Sequence, residues 1–294
     1  MTDATNGVFR LDTADGERYA MRVSLGPPIA HTPSEVRSEL AWMKAIHDDG
    51  AVDVPLPIAT RDGDLFSVAG HQDVPFESLC VVFTWLEGPL VADRLSERTL
   101  VAFGRASALL HEQATTFVPP PWFDVPSFDR VYPYDVPFVV FDDEHQGLLQ
   151  GQRRALFREA YGAVEGAIRR LEATEPPRLT HSDLHMWNAK INRGVVSVFD
   201  FEDLLWAWPV QDIATTLYYF WSHDDFDGLR SWFREGYEEV REWPDPGDLV
   251  DTFIMQRTLL MANDVVSQPE WADEVDAIYE RGELRIKDML RRIG

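Results

Sequence analysis

The segment RLTHSDLHMWNAKINRGVVSVFDFED, residues 178 to 203, constrains this chain more than any other stretch of its length. It holds two histidines, four acids and two asparagines, and its second half alternates around Asn192-Arg193-Gly194 in the manner of a β-hairpin. Three interpretations are open: the His-x-Asp-x-His fragment of a metal hydrolase, a solvated acidic turn, or the centre of a phosphotransferase. The spacing of the polar residues favours the third.

Asp183 and Asn188 are five residues apart, and His181 stands two residues before the aspartate. In a catalytic loop with this spacing, the aspartate accepts the proton of the acceptor hydroxyl and the asparagine binds Mg²⁺. The hairpin then ends at Asp200, whose carboxylate would bridge the donor phosphates through Mg²⁺, a cation that prefers oxygen ligands. We therefore predict that Asp183 is the catalytic base, that His181 supports the loop, and that Asn188 and Asp200 bind magnesium.

The other polar residues of this region carry less specific signals. His185 has two open interpretations, as a residue that binds acceptor or metal and as a structural residue. Glu202 and Asp203 are expected either to touch a second Mg²⁺ or to be solvated acids. Asp212 opens the sequence DIATTLYYF and is predicted to be structural, as a cap for free backbone N–H groups of a helix. A pure metal site is disfavoured because no further ligand cluster accompanies the two histidines.

The composition restricts the class of protein. The 294 residues are 45% hydrophobic and 12% aromatic, which predicts a globular chain. There is no signal peptide and no spanning apolar run, and the lone Cys80 excludes an intramolecular disulfide, so we expect a cytoplasmic protein. The net charge of −23 argues against nucleic acid and anionic membranes as partners. It indicates either a solvated acidic surface or attraction of a cationic substrate, and the oligomeric state stays open.

Residues 1–87 have the pattern of a small, mainly β lobe. Apolar positions alternate around Asp15-Gly16 and again around Asp62-Gly63, which predicts a hairpin at each turn. Between them, TPSEVRSELAWMKAIHDDG predicts a helix that Thr32 or Ser34 caps. The apolar run CVVFTWLEGPL predicts a strand that ends in a Gly-Pro connection between two lobes.

Residues 88–294 have the pattern of a larger, helical lobe, which makes the predicted fold class α+β. A loop rich in proline and aromatic residues interrupts the helices. The periodicity of apolar residues predicts helices over 95–116, 148–173, 210–222, 227–241, 247–266 and 270–292.

Four further motifs, spread over most of the chain, accompany the catalytic segment: SEVRSELAWMKAI with Glu39, FTWLEG, ASALLHEQ with His111, and PVQDIA with Asp212. With that segment they resemble the aminoglycoside phosphotransferase and choline kinase superfamily. The resemblance implies a two-lobed protein-kinase-like fold. It also implies that Glu39 is the glutamate of the N-lobe helix and that FTWLEG is the hinge between the lobes.

The resemblance further implies Mg²⁺ as cofactor and ATP as co-substrate. The backbone of Thr84 and Leu86 in the hinge would pair with adenine. Because backbone groups carry little side-chain information, GTP is left open as an alternative to ATP.

Two features depart from the family pattern. The lysine that holds the α- and β-phosphates and pairs with the helix glutamate is replaced by Arg22 in YAMRVS. Arginine keeps the charge and can pair bidentately with Glu39, but its planar head differs in geometry from an ammonium. In addition, only MTDATNGV precedes the first hairpin. We therefore expect the first strand of the family to be missing and the nucleotide-covering loop to be missing or reduced to Thr5-Asn6-Gly7.

The leading prediction is a phosphotransferase that moves the γ-phosphate of ATP to a hydroxyl of a small acceptor, of the aminoglycoside, homoserine or choline type. Two alternatives are a bacterial serine/threonine protein kinase of the stress-response type and a catalytically reduced, nucleotide-binding relative. The acceptor is expected between the catalytic loop and the C-terminal helices, where acids would suit a cationic molecule. The predicted acceptor residues are His185, Glu202, Trp221, Asp224 and Asp264.

Overall fold

The computed structural model describes residues 6–24, 31–70, 76–133, 137–244, 247–267 and 274–294. An antiparallel sheet of four strands and one helix come first, and six helices with two small β-ribbons follow. This order agrees with the predicted α+β class, in which a β-rich part precedes a helical part.

The N-terminal sheet has the strand order β1-β2-β4-β3. The strand β2 is central, because it pairs with β1 on one side and with β4 on the other, and its Arg22 stands opposite Val81. The predicted hairpin at Asp15-Gly16 is confirmed as the β1–β2 connection. The four strands are β1 (Asn6–Asp12), β2 (Arg18–Ser24), β3 (Ser67–Gly70) and β4 (Glu77–Thr84).

The start of β1 bears on the predicted nucleotide-covering loop. Asn6 stands opposite Ser24 and Gly7 opposite Val23, so both residues belong to the sheet. The prediction that the loop is reduced to Thr5-Asn6-Gly7 is therefore wrong for Asn6 and Gly7, and Thr5 lies outside the described residues. Along the described part of the sheet, β1 is an edge strand.

The turn at Asp62-Gly63 forms, but it does not join two paired strands. Thr60 N donates to Asp64 O at 2.7 Å and closes the turn. Beyond it, Ile58 N donates to Val82 O of β4, and β3 pairs with the same strand. The predicted hairpin is wrong because both flanks follow one edge of β4, and a turn signal alone does not specify the partner of each flank.

The helix α1 (Pro33–Asp48) begins as its sequence predicts. The Thr32 side chain accepts from Glu35 N, and the Glu35 carboxylate accepts from Thr32 N, which completes a capping box. Gly50 follows the helix with a φ of +62°. The buried face of α1 contains Val36, Leu40, Trp42, Met43, Ile46 and also the carboxylate of Glu39. The helix thus carries one acid into the protein interior.

Apart from the start of the last helix, the six helices of the C-terminal part agree with the predicted ranges to within about three residues. The predicted start of the last helix at residue 270 lies outside the described residues. The helices in the described ranges include none that is long and apolar enough to cross a membrane. They are α2 (Glu97–Thr116), α3 (Gly151–Thr174), α4 (Pro209–Phe220), α5 (Phe226–Glu238), α6 (Leu249–Ser267) and α7 (Val275–Ile293).

The helices α2 and α5 touch through their backbones. A Cβ atom on Gly104 of α2 would lie 1.8 Å from the carbonyl oxygen of Phe233, and one on Gly236 of α5 would lie 1.8 Å from that of Val101. Only glycine fits at both positions, because each Cβ would overlap main-chain atoms of the other helix.

Two β-ribbons shape the polar segment of residues 178–203. The strand β5 (Arg178–Thr180) pairs with β8 (Leu205–Ala207), while β6 (Ala189–Asn192) and β7 (Val195–Val198) form the predicted hairpin. The φ values of its turn residues, +53° and +88°, are those of a type I′ turn. The loop after β5 and the loop before β8 therefore emerge side by side.

Candidate active site

The carboxylate of Asp183 is held by two residues of its own loop and one residue of α6. Its Oδ1 lies 2.5 Å from Nη2 of Arg257. Its Oδ2 lies 3.3 Å from Nε2 of His185 and accepts from Nδ2 of Asn188 at 3.2 Å. The Asn188 amide also donates to the Asp183 carbonyl at 3.0 Å. These contacts fix the carboxylate that the sequence predicts as the catalytic base.

The same contacts set the charge state of Asp183. Burial alone would raise the pKa of this carboxyl, but the positive charge of Arg257 and the hydrogen bond with His185 outweigh it, so the pKa is lowered. The carboxylate is therefore ionised at neutral pH and can accept a proton.

The loop that carries Asp183 has an unusual backbone. Ser182 has a φ of +63°, a left-handed conformation that persists in a non-glycine residue only where the surroundings hold it. Its N–H donates to Oδ1 of Asp212 at 2.8 Å, and Oδ2 of Asp212 lies 3.0 Å from Nε2 of His111. The opposite ring nitrogen of His111 bonds to the hydroxyl of Tyr237 at 2.9 Å. Asp212 is structural, but its predicted role as a cap is wrong, because its carboxylate binds the Ser182 loop and the helix already begins at Pro209.

His181 is completely buried below the loop. Its Nε2 lies 3.0 Å from the carbonyl oxygen of Phe199, and its ring packs on Phe201, which meets Trp42 of α1. Burial lowers the pKa of His181, which keeps the ring neutral. This geometry fits the predicted support of the loop by hydrogen bonds.

Asn188 and Asp200 lie together because the β6–β7 hairpin folds back on itself. Phe199 N donates to the carbonyl oxygen of Asn188 at 3.0 Å, so the next residue, Asp200, follows directly beside the catalytic loop. Asp200 is in the left-handed region with a φ of +69°. The strained backbone of Asp200 is at a predicted functional position, and that of Ser182 is directly between His181 and Asp183.

The donor atoms around Asp200 fit a hard divalent cation. Burial raises the pKa of Asp200 well above its usual value, and the nearby charges of Glu202 and Asp203 add to the shift, while Arg22 opposes it. In the described ranges, no three His, Cys, Asp or Glu side chains are grouped as a complete metal site. Mg²⁺ does not require one, since it binds through one or two protein oxygens together with phosphate oxygens and water.

Arg22 and Glu39 form a buried, bidentate ion pair. Nη1 and Nη2 of Arg22 lie 2.8 and 2.6 Å from Oε1 and Oε2 of Glu39, and the two side chains are 10% and 4% exposed. Burial would lower the pKa of Arg22, but the charges of Glu39, Glu202 and Asp200 raise it. The guanidinium therefore joins β2 to α1, and its charge also acts on Asp200, the predicted metal ligand.

Of the two predicted hinge residues, Thr84 is the last residue of β4 and Leu86 lies two residues beyond it. Thr84 N donates to Leu56 O at 2.9 Å, and the Leu56 N–H bonds to the Thr84 hydroxyl at the same distance. The carbonyl oxygen of Leu86 accepts from Nζ of Lys190 in β6 at 2.9 Å. The hinge is thus held from both sides.

Of the predicted acceptor residues, His185 belongs to the catalytic loop, Glu202 lies two residues after Asp200, and Asp264 is on α6 with Arg257. His185 contacts Asp183, the Glu202 carboxylate accepts from Asn6, and Asp264 accepts from Tyr132 at 2.6 Å. The charge of Arg257 acts on Asp264 as well as on Asp183.

Trp221 and Asp224 are placed elsewhere. They line a surface pocket between the α4–α5 connection and α7, together with Asp288 and Arg292. No residue of the catalytic loop lines that pocket. The structure therefore does not bring these two residues to Asp183.

Sequence reasoning did not identify three residues that contact this site: Arg257, Tyr219 and Lys190. Arg257 donates to the Tyr219 hydroxyl at 2.8 Å, and the Tyr219 ring packs edge-on against His185. One signal was present, because Arg257 interrupts the apolar sequence FIMQRTLLMA of α6, and a charge in such a run needs a partner.

Comparisons with known proteins agree with this geometry. The model of the phosphotransferase enzyme family matches residues 2–247. The amicoumacin kinase of Bacillus subtilis (strain 168) is 24% identical over 278 residues, which cover 89% of this chain and 77% of the relative.

Two solved structures are similar over nearly the whole chain. A microcompartment-associated aminopropanol kinase has a TM-score of 0.78 at 20% identity and covers 99% of this chain and 91% of its own. An amicoumacin kinase in complex with AMP-PNP and Ca²⁺ has a TM-score of 0.73 at 18% identity, with coverage of 96% and 86%. These likenesses confirm the predicted two-lobed, protein-kinase-like fold. Because the family model spans most of its length, this chain belongs to the phosphotransferase enzyme family.

Proposed function

We propose that this protein transfers the γ-phosphate of ATP to a hydroxyl of a small molecule in a Mg²⁺-dependent reaction. The observation that carries the proposal is the arrangement of Asp183, Asn188 and Asp200: Asn188 donates to Asp183, and Phe199, the residue before Asp200, donates to the Asn188 carbonyl. The nucleotide would bind between residues 1–87 and 88–294, against the hinge.

Asp183 would orient the acceptor hydroxyl and accept its proton. The hydroxyl oxygen forms a bond to the γ-phosphorus while the bond between that phosphorus and the β,γ-bridging oxygen breaks, and ADP leaves. The lowered pKa of Asp183 suits orientation and late proton transfer, since phosphoryl transfer has a loose transition state that needs little early deprotonation.

The phosphates would meet the N-terminal sheet at Arg22. Its guanidinium is already fixed by Glu39, so it loses little freedom when it binds the nucleotide. Asn188 and Asp200 would hold Mg²⁺, which neutralises charge on the donor phosphates when bound.

The acceptor proposal has two levels. Relatives named as kinases of amicoumacin and aminopropanol support a small molecule with a hydroxyl. A cationic acceptor is supported by the net charge of −23 and by the half-buried acids around Arg257. One of these is Asp203, where burial and the charges of Asp183 and Glu202 raise the pKa to about 7.

A screen of acceptors tests the proposal. Purified protein with Mg²⁺ and ATP is offered amino alcohols, aminoglycosides, neutral alcohols and a serine/threonine peptide library, and ADP release is coupled to NADH oxidation. We expect release that depends on a small alcohol and that Asp183→Asn abolishes. Release driven only by peptides would favour the protein-kinase alternative, and ATP binding without any turnover would favour the catalytically reduced relative. A cytoplasmic location stays a prediction from the composition.

A further inference from the structure

Lys190 connects the C-terminal part to the hinge. Its Nζ donates to the Leu86 carbonyl at 2.9 Å and lies 4.8 Å from the centroid of the Trp85 ring. The chain after the hinge also packs closely on β6, because a Cβ atom on Gly88 would lie 2.5 Å from the carbonyl oxygen of Ile191. The ammonium therefore contacts Leu86, one of the two hinge residues predicted to pair with a bound base.

Lys190 differs from the two other lysines of the chain. Lys44 binds Asp48 and Lys287 binds Glu283, each at 2.5 Å and one helical turn away. Lys190 instead donates to a main-chain carbonyl and stacks on a ring face. Its charge is a point charge with three donors and no acceptor, presented at a defined place on the hinge.

Adenine and guanine present opposite groups to such a hinge. Adenine has an acceptor at N1 and a donor in its 6-amino group, whereas guanine has an acceptor at O6 and donors at N1 and its 2-amino group. An adenine fits with N1 on the Leu86 N–H and its amino group on the Thr84 carbonyl. A guanine that places O6 on the Leu86 N–H must give its N1–H to the carbonyl of the same residue.

The Leu86 carbonyl already accepts a hydrogen bond from Lys190. A carbonyl oxygen has two lone pairs, so the hydrogen bond alone would not exclude a second donor. The ammonium of Lys190, however, would face the N1–H and the 2-amino group of guanine. All of these groups are hydrogen-bond donors, so the N1–H and the 2-amino group would have no acceptor. The corresponding edge of adenine carries no N–H group and avoids this conflict.

We infer that Lys190 makes the nucleotide site selective for adenine over guanine through its hydrogen bond to the Leu86 carbonyl. This inference rests on the proposed function, because it assumes that a nucleotide binds at the hinge. A buried donor left without an acceptor corresponds to about a 10- to 100-fold loss of affinity. The wild type should therefore bind the adenine nucleotide at least about tenfold more tightly.

Binding can be measured without knowledge of the acceptor. Isothermal titration of the full chain with AMP-PNP and with GMP-PNP, both in Mg²⁺, gives the ratio of the two dissociation constants. In Lys190→Met and in Lys190→Gln, we expect the ratio to fall to about threefold or less, mainly because GMP-PNP binds more tightly. Lys44→Met removes an exposed lysine on α1 and should leave the ratio unchanged, and melting temperatures without nucleotide check that each variant is folded.

Three results would overturn the inference. A wild type that binds both nucleotides equally, or folded Lys190 variants that bind AMP-PNP with an unchanged ratio, would remove Lys190 from base selection while leaving the phosphotransferase proposal intact. A wild type that binds neither nucleotide in Mg²⁺ would overturn both proposals together.

Discussion

Arg257 on α6 holds Asp183 from the side opposite to Asn188. Its Nη2 lies 2.5 Å from Oδ1 of the aspartate and 2.8 Å from the hydroxyl of Tyr219, while Asn188 donates to Oδ2. One arginine therefore fixes the predicted base and an aromatic ring beside it. The two oxygens of the carboxylate therefore have different neighbours. Burial raises the pKa of Asp183, and the charge of Arg257 is the largest effect that lowers it.

Replacement of Arg257 by methionine should shift the pH dependence of the reaction. Asp183 acts in its ionised form, so activity is lost as the pH falls through its pKa. Without the arginine, burial raises that pKa, and the acid limb of kcat/KM should move to higher pH. Profiles of kcat/KM against pH measure this with the acceptor that the screen identifies. Arg257→Lys keeps a charge and should shift the limb less, whereas an unmoved limb in both variants would show that Arg257 does not control the base.

Asp183→Asn should lower turnover by several powers of ten, because the amide cannot accept the acceptor proton. Affinity for Mg²⁺ and AMP-PNP should change by less than about threefold, since the metal is held elsewhere. Single-turnover kinetics and nucleotide titration separate the two effects. Turnover within about threefold of wild type would remove Asp183 from the mechanism.

Asp200→Ala should abolish the Mg²⁺-dependent part of the stabilisation by ATP, and Asn188→Ala should weaken it. A ligand that binds only the folded state raises the melting temperature according to its affinity. Thermal melts with ATP, with and without Mg²⁺, report the difference. Asp62→Ala, in an exposed turn, is the matched loss of a carboxylate and should behave as wild type. Equal metal-dependent shifts in Asp200→Ala and Asp62→Ala would contradict the assignment.

Arg22→Ala should weaken ATP binding and also lower the free energy of unfolding by about 3 to 5 kcal/mol, because it leaves the buried Glu39 carboxylate unpaired. Arg22→Lys restores the residue type of the family and should retain both properties better than alanine. Chemical denaturation and nucleotide titration measure them. Arg37→Ala, on the exposed face of α1, is the control and should change stability by less than about 1 kcal/mol. An Arg22→Ala protein with unchanged nucleotide affinity would contradict the proposed contact between Arg22 and the phosphates.

The features that the sequence predicted well depend on neighbours along the chain. Helix ranges follow from apolar periodicity, and the start of α1 follows from Thr32, one of the two predicted caps. The catalytic loop and the hairpin to Asp200 span fewer than thirty residues, so their spacing alone brings Asp183, Asn188 and Asp200 together.

The features that the sequence missed depend on contacts between distant segments. Arg257 reaches Asp183 across 74 positions, and Lys190 reaches Leu86 across 104. The residue types Asp62-Gly63 predicted the turn. They did not predict that the segments before and after it both pair with β4. A periodicity argument indicates which face of an element is buried, whereas the partner of each polar side chain is decided by the packing of whole elements.

The crossing of α2 and α5 has a consequence far from its own surface. Both Gly104 and Gly236 contact main-chain oxygens of the other helix. A smaller side chain on that helix would therefore not create space for a Cβ atom. His111 lies two turns beyond Gly104, and Tyr237 directly follows Gly236. The separation of these helix axes therefore sets the bond between His111 and Tyr237, and through Asp212 the place of the loop. The alignment of the predicted base for phosphoryl transfer would thus depend on the distance between two helices. A substitution that increased this distance would also displace the base.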